Sequence, residues 1–254
     1  MPALEKGTGH NEAGNAPGKG RNMTRLLIIG PPGSGKGTQA EHLARHFGVP
    51  AVSTGDIFRS NVSRQTELGN QAADYLDGGH FVPDHLTNAL VKDRLLVHDV
   101  RHGFLLDGYP RTASQAQFLD GLLSRRAMPK PTVIHFVVSA RSVTSRLERR
   151  RQCARCGRIV SVQDPRKGDF SCELDGAPLI RRADDHARAI RERLRLYDRN
   201  AKELIRYYQA QSYHRVQANS SPEAVGGEIL QVLNANRGAM LPPRAAMYSA
   251  RAAY

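Results

Sequence analysis

The stretch Gly30-Pro31-Pro32-Gly33-Ser34-Gly35-Lys36-Gly37-Thr38 decides the fold. It has the spacing G-x-x-x-x-G-K-x-T. Before it runs Arg25-Leu26-Leu27-Ile28-Ile29, a mostly apolar segment of strand length. After it, Ala40, Leu43, Ala44 and Phe47 repeat at the spacing of one helix face. Strand, glycine loop and helix in that order are the context of a phosphate-binding loop. Glycines let the backbone curl with its N–H groups turned inward, and the helix N-terminus adds partial positive charge. Lys36 is then expected to reach the β- and γ-phosphates of a nucleotide, and the Thr38 hydroxyl to face Mg²⁺. The competing reading is a glycine-rich turn that binds nothing.

At 254 residues the chain can hold one α/β domain with inserts, or two small domains. No run approaches the roughly 18 apolar residues of a membrane span. Residues 1–22 lack the apolar core of a secretory signal. Three cysteines, two of them in one C-x-x-C, suit a reducing compartment better than a disulfide framework. A cytoplasmic protein is the expectation. The formal net charge of +13 raises nucleic acid as a partner. Much of the excess falls in residues 141–199, with sixteen Lys/Arg against nine Asp/Glu. A site that grips phosphates accounts for that cluster equally well. There is no tryptophan, and aromatics do not alternate with the basic residues as a stacking platform requires.

In chain order, residues 1–22 are expected to be disordered, and Met23 offers a possible shorter start. Further strands are expected at Val49–Ser53, Phe104–Asp107, Val133–Val138 and Tyr213–Gln217. Residues 60–90 read as mostly helical, with breaks at Asp77-Gly78-Gly79 and Pro83. Gly108-Tyr109-Pro110-Arg111 reads as a turn. Helices follow at Gln115–Ser124 and Ser142–Arg151. Residues 153–178 are turn-rich, helix returns over Asp184–Gln209, and Pro222–Leu233 closes the domain. The tail from residue 236 is expected to be disordered. Strands alternating with helices predict an α/β fold with a doubly wound, parallel, five-stranded sheet. Ligands of such sheets sit beyond the carboxyl ends of the strands, where Lys36, Thr54, Asp107 and Gly108 all fall.

Asp107, ending an apolar strand, suits a ligand of Mg²⁺-bound water; the alternative is a turn or helix cap. Arg59, Arg111, Arg150, Arg182 and Arg193 follow elements that can converge on one cleft, and guanidinium forks grip phosphates at two points. For any single arginine the alternative is a solvated surface charge.

Several blocks in order make the resemblance specific: Gly30–Ala40 (GPPGSGKGTQA), Ser53–Arg59 (STGDIFR), Gly103–Thr112 (GFLLDGYPRT) with Gln115, and Arg182–Asp185 (RADD) with Arg193. Across residues 23–235 the chain resembles the adenylate kinases of the long-lid bacterial type. The resemblance implies reversible phosphoryl transfer from MgATP to AMP, giving two ADP. It also implies a monomeric core with two mobile inserts, an AMP-binding arm at 53–82 and a lid at 149–186. It places the ATP phosphates on Gly33, Ser34, Gly35, Lys36, Gly37 and Thr38. Arg150, Ile159, Val160 and Ser220 join the ATP side. AMP falls to Thr54, Arg59, His80, Phe81, Val82, Gly108, Tyr109, Pro110 and Arg111, with Gln115 on the adenine edge. Arg182 and Arg193 bridge the two phosphate chains, and Asp184 and Asp185 belong to the lid hinge. Catalysis is then expected to rest on Lys36, Arg111, Arg150, Arg182, Arg193 and Asp107.

Cys153-x-x-Cys156 and Cys172-x-x-Asp175 are separated by fifteen residues, a spacing that suits a tetrahedral Zn²⁺ site with no open position. The segment has little apolar bulk of its own, so a metal staple helps explain how it folds. Plain thiols or a redox pair are the alternatives. The chain departs from the family at Val160-Ser161, where Tyr-His is usual, at Gln217-Ala218 in place of Asp-Gly, and at Arg149 in place of glycine. All three bear on the ATP side. A UMP/CMP kinase is the nearest rival; Thr54, Gln115 and the long lid favour AMP. A zinc-ribbon nucleic-acid-binding protein leaves the phosphate loop unexplained.

Overall fold

The computed structural model describes residues 24–165, 168 and 170–239. The expected disordered extension 1–22 lies outside these residues, as does the expected tail beyond residue 239.

Five strands form one sheet: β1 (Thr24–Ile29), β2 (Ala51–Ser53), β3 (Gly103–Asp107), β4 (Thr132–Val137) and β8 (Tyr213–Gln217). Their order is β2-β3-β1-β4-β8, with every pair parallel. β1 is buried along its whole length, as a parallel strand covered on both faces must be. Its side chains alternate between two separate cores. Leu27 and Ile29 join Leu106, Leu119 and Tyr208 on one face; Leu26 and Ile28 join Leu43, Phe136 and Ile229 on the other. The period of two along a strand thus sorts one apolar run into the two cores of a doubly wound sheet.

The described residues form eight α-helices. Helix α1 (Lys36–Phe47) leaves the glycine loop, and α8 (Pro222–Ala239) packs beside it. Helix α8 runs past Leu233 to residue 239, where a tail was expected from 236. Residues 60–90, expected to be mostly helical with breaks at Asp77-Gly78-Gly79 and Pro83, fall in α2 (Thr54–Ser63), α3 (Glu67–Asp77) and α4 (Asp84–Leu96). The gap between α3 and α4 lies at the expected breaks, and the one between α2 and α3 is additional. The break between α2 and α3 comes from Gln65, at φ 52°, and from Thr66, whose Oγ1 accepts from Gly69 N at 3.1 Å as an N-cap. Helix α5 (Ala113–Arg125) follows β3.

The basic helix α6 (Ala140–Arg149) ends two residues earlier than expected. Arg150 opens strand β5 (Arg150–Cys153), which pairs antiparallel with β6 (Ile159–Ser161) and β7 (Leu179–Ile180). This small sheet frames the segment 153–178 that composition marked as turn-rich, with β6 inside it and β5 and β7 at its two ends. The chain returns through a 3-10 turn at Ala183–Asp185 into α7 (Ala187–Gln209), where His186 Nδ1 accepts from Ala189 N. Among the described residues, no helix is long and apolar enough to cross a membrane.

Candidate active site

The glycine loop connects β1 to α1, and its shape depends on absent side chains. Gly33 has φ 77°, and a Cβ there would stand 2.7 Å from Leu147 Cγ of α6. Gly35, at φ 94°, is the N-cap of α1. Both conformations favour glycine. Lys36 turns back over the loop, its Nζ donating to the carbonyls of Gly30 (2.9 Å) and Pro31 (2.7 Å). Burial pushes its pKa down to about 8; Asp107 opposes that, and Arg111, Arg193 and Arg150 reinforce it. Ser34 is buried, whereas Gly37 and Thr38 are exposed in the first turn of α1.

Asp107 ends β3 beside that turn; a Cβ on Gly37 would lie 3.5 Å from its Oδ2. Burial raises its pKa, against the pull of Lys36. A carboxylate that is costly to hold charged, beside the first turn of α1 that carries the exposed Thr38, suits a hydrated divalent cation. Asp107 and Thr38 are therefore a fitting pair for Mg²⁺.

The arginines converge although they are spread over 135 positions, from Arg59 to Arg193. The 3-10 turn before α7 supplies their anchor. Asp185 is fully buried and takes both Nε (2.7 Å) and Nη2 of Arg150, together with Nη1 of Arg193 (3.2 Å). Asp184 Oδ2 lies 3.1 Å from Arg193 Nη1 and 3.6 Å from Arg59 Nη1. Burial works to raise the Asp184 pKa, but Arg193, Arg59, Arg150 and Arg182 outweigh it and hold it below the usual range. Arg182 donates to Gln152 Oε1 at 2.8 Å, and its Nη2 lies 3.7 Å from Asp56 of α2. Burial, then Arg59 and Arg150, push the Arg182 pKa down to about 10. Arg111 is also lowered to about 10, first by burial and then by Arg193. A cleft whose cations depress one another's pKa is built for polyanions.

On the other side of β3, Thr54 Oγ1 and Arg111 Nε both donate to the Gly108 carbonyl, at 3.1 and 2.7 Å. The Arg111 guanidinium stands 5.2 Å from the Phe81 ring centroid, a cation–π contact. Thr54, Phe58, Phe81, Val82, Arg111 and Gln115 line a narrow cavity, which His80 also borders. His80 Nδ1 is 3.5 Å from Glu192 of α7. Tyr109 and Pro110 are buried beneath, joined by a cis peptide bond, and the Tyr109 hydroxyl donates to Asn88 Oδ1 at 2.6 Å. Gln115 is 1% exposed. Its Oε1 accepts from Arg111 N and its Nε2 donates to Asp84 Oδ1, both at 2.7 Å.

The residues expected at the ATP base lie on separate elements. Ser220 is tied to the loop by Arg146, whose guanidinium donates to the Ser34 and Ser220 carbonyls at 3.3 and 3.5 Å. Ile159 and Val160 lie on β6 of the small sheet, and Ile159 is 42% exposed. The supporting acids and amides, Asp56, Asp84 and Gln152, were not singled out in the sequence, and neither was Arg146. Each reads there as an ordinary surface polar residue.

Beyond β5, the donor atoms of Cys153, Cys156, Cys172 and Asp175 all lie within 4.8 Å of one another. Cys156 Sγ and Cys172 Sγ are 3.8 Å apart, and Cys153 Sγ is 3.4 Å from each Asp175 oxygen. Tetrahedral zinc with Zn–S bonds of about 2.3 Å requires sulfur atoms about 3.8 Å apart. Backbone N–H groups of Arg155 and Cys156 point at Cys153 Sγ, at 3.4 and 3.3 Å. Apolar support is slight: Cys153, Cys172 and Ala177, with Leu179 against them.

A phosphate loop at the carboxyl edge of this sheet, faced by arginines from two inserts, is the arrangement of the P-loop nucleoside monophosphate kinases. The sequence profile of one family, adenylate kinase, matches residues 28–213. An adenylate kinase of Acidothermus cellulolyticus is 48% identical over 187 residues, 73% of this chain and 86% of that one. One of Clostridium acetobutylicum is 43% identical over 185 residues, 72% of this chain and 86% of its own length. One of Caldanaerobacter subterraneus subsp. tengcongensis is 41% identical over 215 residues, 84% and 97% of the two chains. The chain belongs to the adenylate kinase family.

Proposed function

We propose that this chain transfers the terminal phosphoryl group of MgATP reversibly to AMP, giving two ADP. The carrying observation is the convergence of Lys36, Arg111, Arg150, Arg182 and Arg193 on one cleft between the glycine loop and the Thr54–Gln115 cavity. An AMP phosphate oxygen bonds to the γ-phosphorus while the bond from that phosphorus to the β–γ bridging oxygen breaks. The electron pair stays on the departing ADP. The attacking oxygen is already ionised near neutral pH, so no side chain has to remove a proton. Positioning and charge neutralisation are the whole task.

Lys36 and the loop N–H groups of Gly33 to Thr38 hold the ATP phosphates, with Arg150 above them and Ile159, Val160 and Ser220 toward the base. Mg²⁺, when bound, draws charge from the phosphates, and Asp107 and Thr38 are the residues to hold it. Arg59, Arg111 and Thr54 take the AMP side, with the backbone at His80 to Val82 and Gly108 to Pro110, and Gln115 reads the base. Arg182 and Arg193 span both phosphate chains. The hairpin of α2 and α3, within 53–82, acts as the AMP arm, and residues 149–186 act as a lid that shuts water out. The Asp184–Asp185 turn preorganises the arginines, so little rearrangement remains at the moment of transfer.

In the lid, Cys153, Cys156, Cys172 and Asp175 hold one structural Zn²⁺. The sulfur spacing supports that, and four protein ligands leave no position for chemistry. The enzyme works as a cytoplasmic monomer within residues 23–235 and needs no nucleic acid, since its basic excess is directed at nucleotide phosphates. The deciding experiment is ADP formation from MgATP with AMP, UMP or CMP. AMP is the expected acceptor by at least about a hundredfold, the scale of a site that hydrogen-bonds its substrate. Equal use of UMP or CMP would replace the reading with that of a pyrimidine nucleotide kinase.

A further inference from the structure

The Gln115 side chain has a fixed sense. A primary amide presents a donor on one side and an acceptor on the other, and the two orientations differ only through their partners. Here both partners work in one direction. The Asp84 carboxylate can only accept, so the group facing Oδ1 at 2.7 Å has to be the amide NH₂. The Arg111 backbone N–H can only donate, so the group facing it at 2.7 Å has to be the carbonyl oxygen. Thr112 Oγ1 donates to the other Asp84 oxygen at 3.0 Å and, as N-cap of α5, accepts from Gln115 N at 3.1 Å. Asp84 thus sits in the first turn of α4 and spans to the first turn of α5. Gln115 keeps one further N–H and one further carbonyl lone pair, and it lines the cavity with Thr54 and Arg111.

We infer that Asp84 is a specificity-determining positioning residue: by fixing the sense of the Gln115 amide, it makes the site select 6-amino over 6-oxo purine monophosphates. This rests on the AMP reading of the cavity given above. Adenine offers a donor at its 6-amino group beside a ring-nitrogen acceptor. Hypoxanthine offers an acceptor at O6 beside an N1–H donor. An amide held in one sense matches the first pattern and opposes the second. If the amide is free to turn, it serves both.

The test compares AMP and IMP as acceptors for wild type and Asp84→Asn. Asparagine keeps the shape and can face Gln115 with either its oxygen or its NH₂, so half of the constraint is lost. The expected result is about a tenfold fall in the AMP-over-IMP ratio of kcat/KM, the scale of one charge-assisted hydrogen bond. It should arise from a higher KM for AMP, with the KM for ATP unchanged. A damaged fold would lower both acceptors together and leave the ratio alone. As a second readout, the Gln115 side-chain NH₂ resonances, assigned by their loss in Gln115→Ala, should shift in Asp84→Asn without ligand. An unchanged ratio, or unmoved amide resonances, overturns the inference. If the wild type itself does not prefer AMP, the underlying reading of the cavity fails instead.

Discussion

Replacing Lys36 by methionine separates the chemical role of the ammonium from its effect on the fold. The pKa of Lys36 falls from 10.5 to about 8, so carrying the charge in the folded protein is disfavoured by about 3 kcal/mol, at roughly 1.36 kcal/mol per pH unit. The side chain is only partly buried by surface area, and water in the cleft reduces that to about 1–2 kcal/mol. Methionine removes this penalty. It also strips the donor from the Gly30 and Pro31 carbonyls, at about 1 kcal/mol each. The two effects nearly cancel. The thermal midpoint should move by less than about 4 °C, the shift that 1 kcal/mol produces in a domain of this size. Turnover should fall at least about a hundredfold, the cost of one preorganised donor to a reacting anion. The pH profile gives a second sign. Between about pH 8 and 10.5 the unfolded wild-type chain binds more protons at this lysine than the folded one, so the penalty is relieved and stability rises with pH. The variant should lose that rise. Coupled-assay turnover and thermal melts from pH 7 to 10 measure all three quantities. Near wild-type turnover would refute the assigned role, and a midpoint lowered by more than about 8 °C would refute the cancellation.

Gln115→Ala should raise the KM for AMP by about tenfold or more while changing that for ATP little, because only the acceptor base meets the amide; equal losses in initial-rate kinetics would put the residue in the other pocket. Asp185→Asn should destabilise by about 3 kcal/mol, since it takes the fully buried carboxylate from the half-buried Arg150 and Arg193 and leaves only Arg193 with Asp184, and a midpoint lowered by less than about 3 °C would contradict that. Protein purified without added metal should carry about one equivalent of zinc. Its loss on chelation, or as falling pH protonates the thiolates, should lower the melting midpoint while part of the turnover survives at low temperature. Less than half an equivalent, with no change in melting on chelation, would leave Cys153, Cys156 and Cys172 as plain thiols.

Much of this protein could be read along the chain because the relevant physics is local. A positive φ at Gly33 and Gly35, an apolar run at Leu26–Ile29 and a helix face at Ala40, Leu43 and Ala44 are requirements met within a few residues. Together they specify a loop, a strand and a helix, and hence the sheet edge where ligands collect. The zinc-type knuckles are legible for the same reason, since each pair of donors is fixed by one tight turn. The break at Gln65–Thr66 was missed although it is local: the Thr66 cap competes with a helical pattern that runs straight past it.

Other features were settled only when distant elements met. Arg150 and Asp185 are 35 positions apart, and Asp84 and Gln115 are 31. In the sequence Asp84 and Asp56 are indistinguishable from any solvated acid, because a carboxylate's partner depends on which helices the sheet brings together. Burial then sets the energy. The same pairs are worth little in water, and become stronger and more directional in the half-buried cleft around Lys36, Arg111 and Arg193, where burial already depresses the pKa of each. The sequence therefore determined the phosphate loop, the sheet and the residue types the chemistry needs. Tertiary structure alone decided which acid holds which arginine and which way the Gln115 amide faces, since those depend on distance and dielectric, which no run of residues contains.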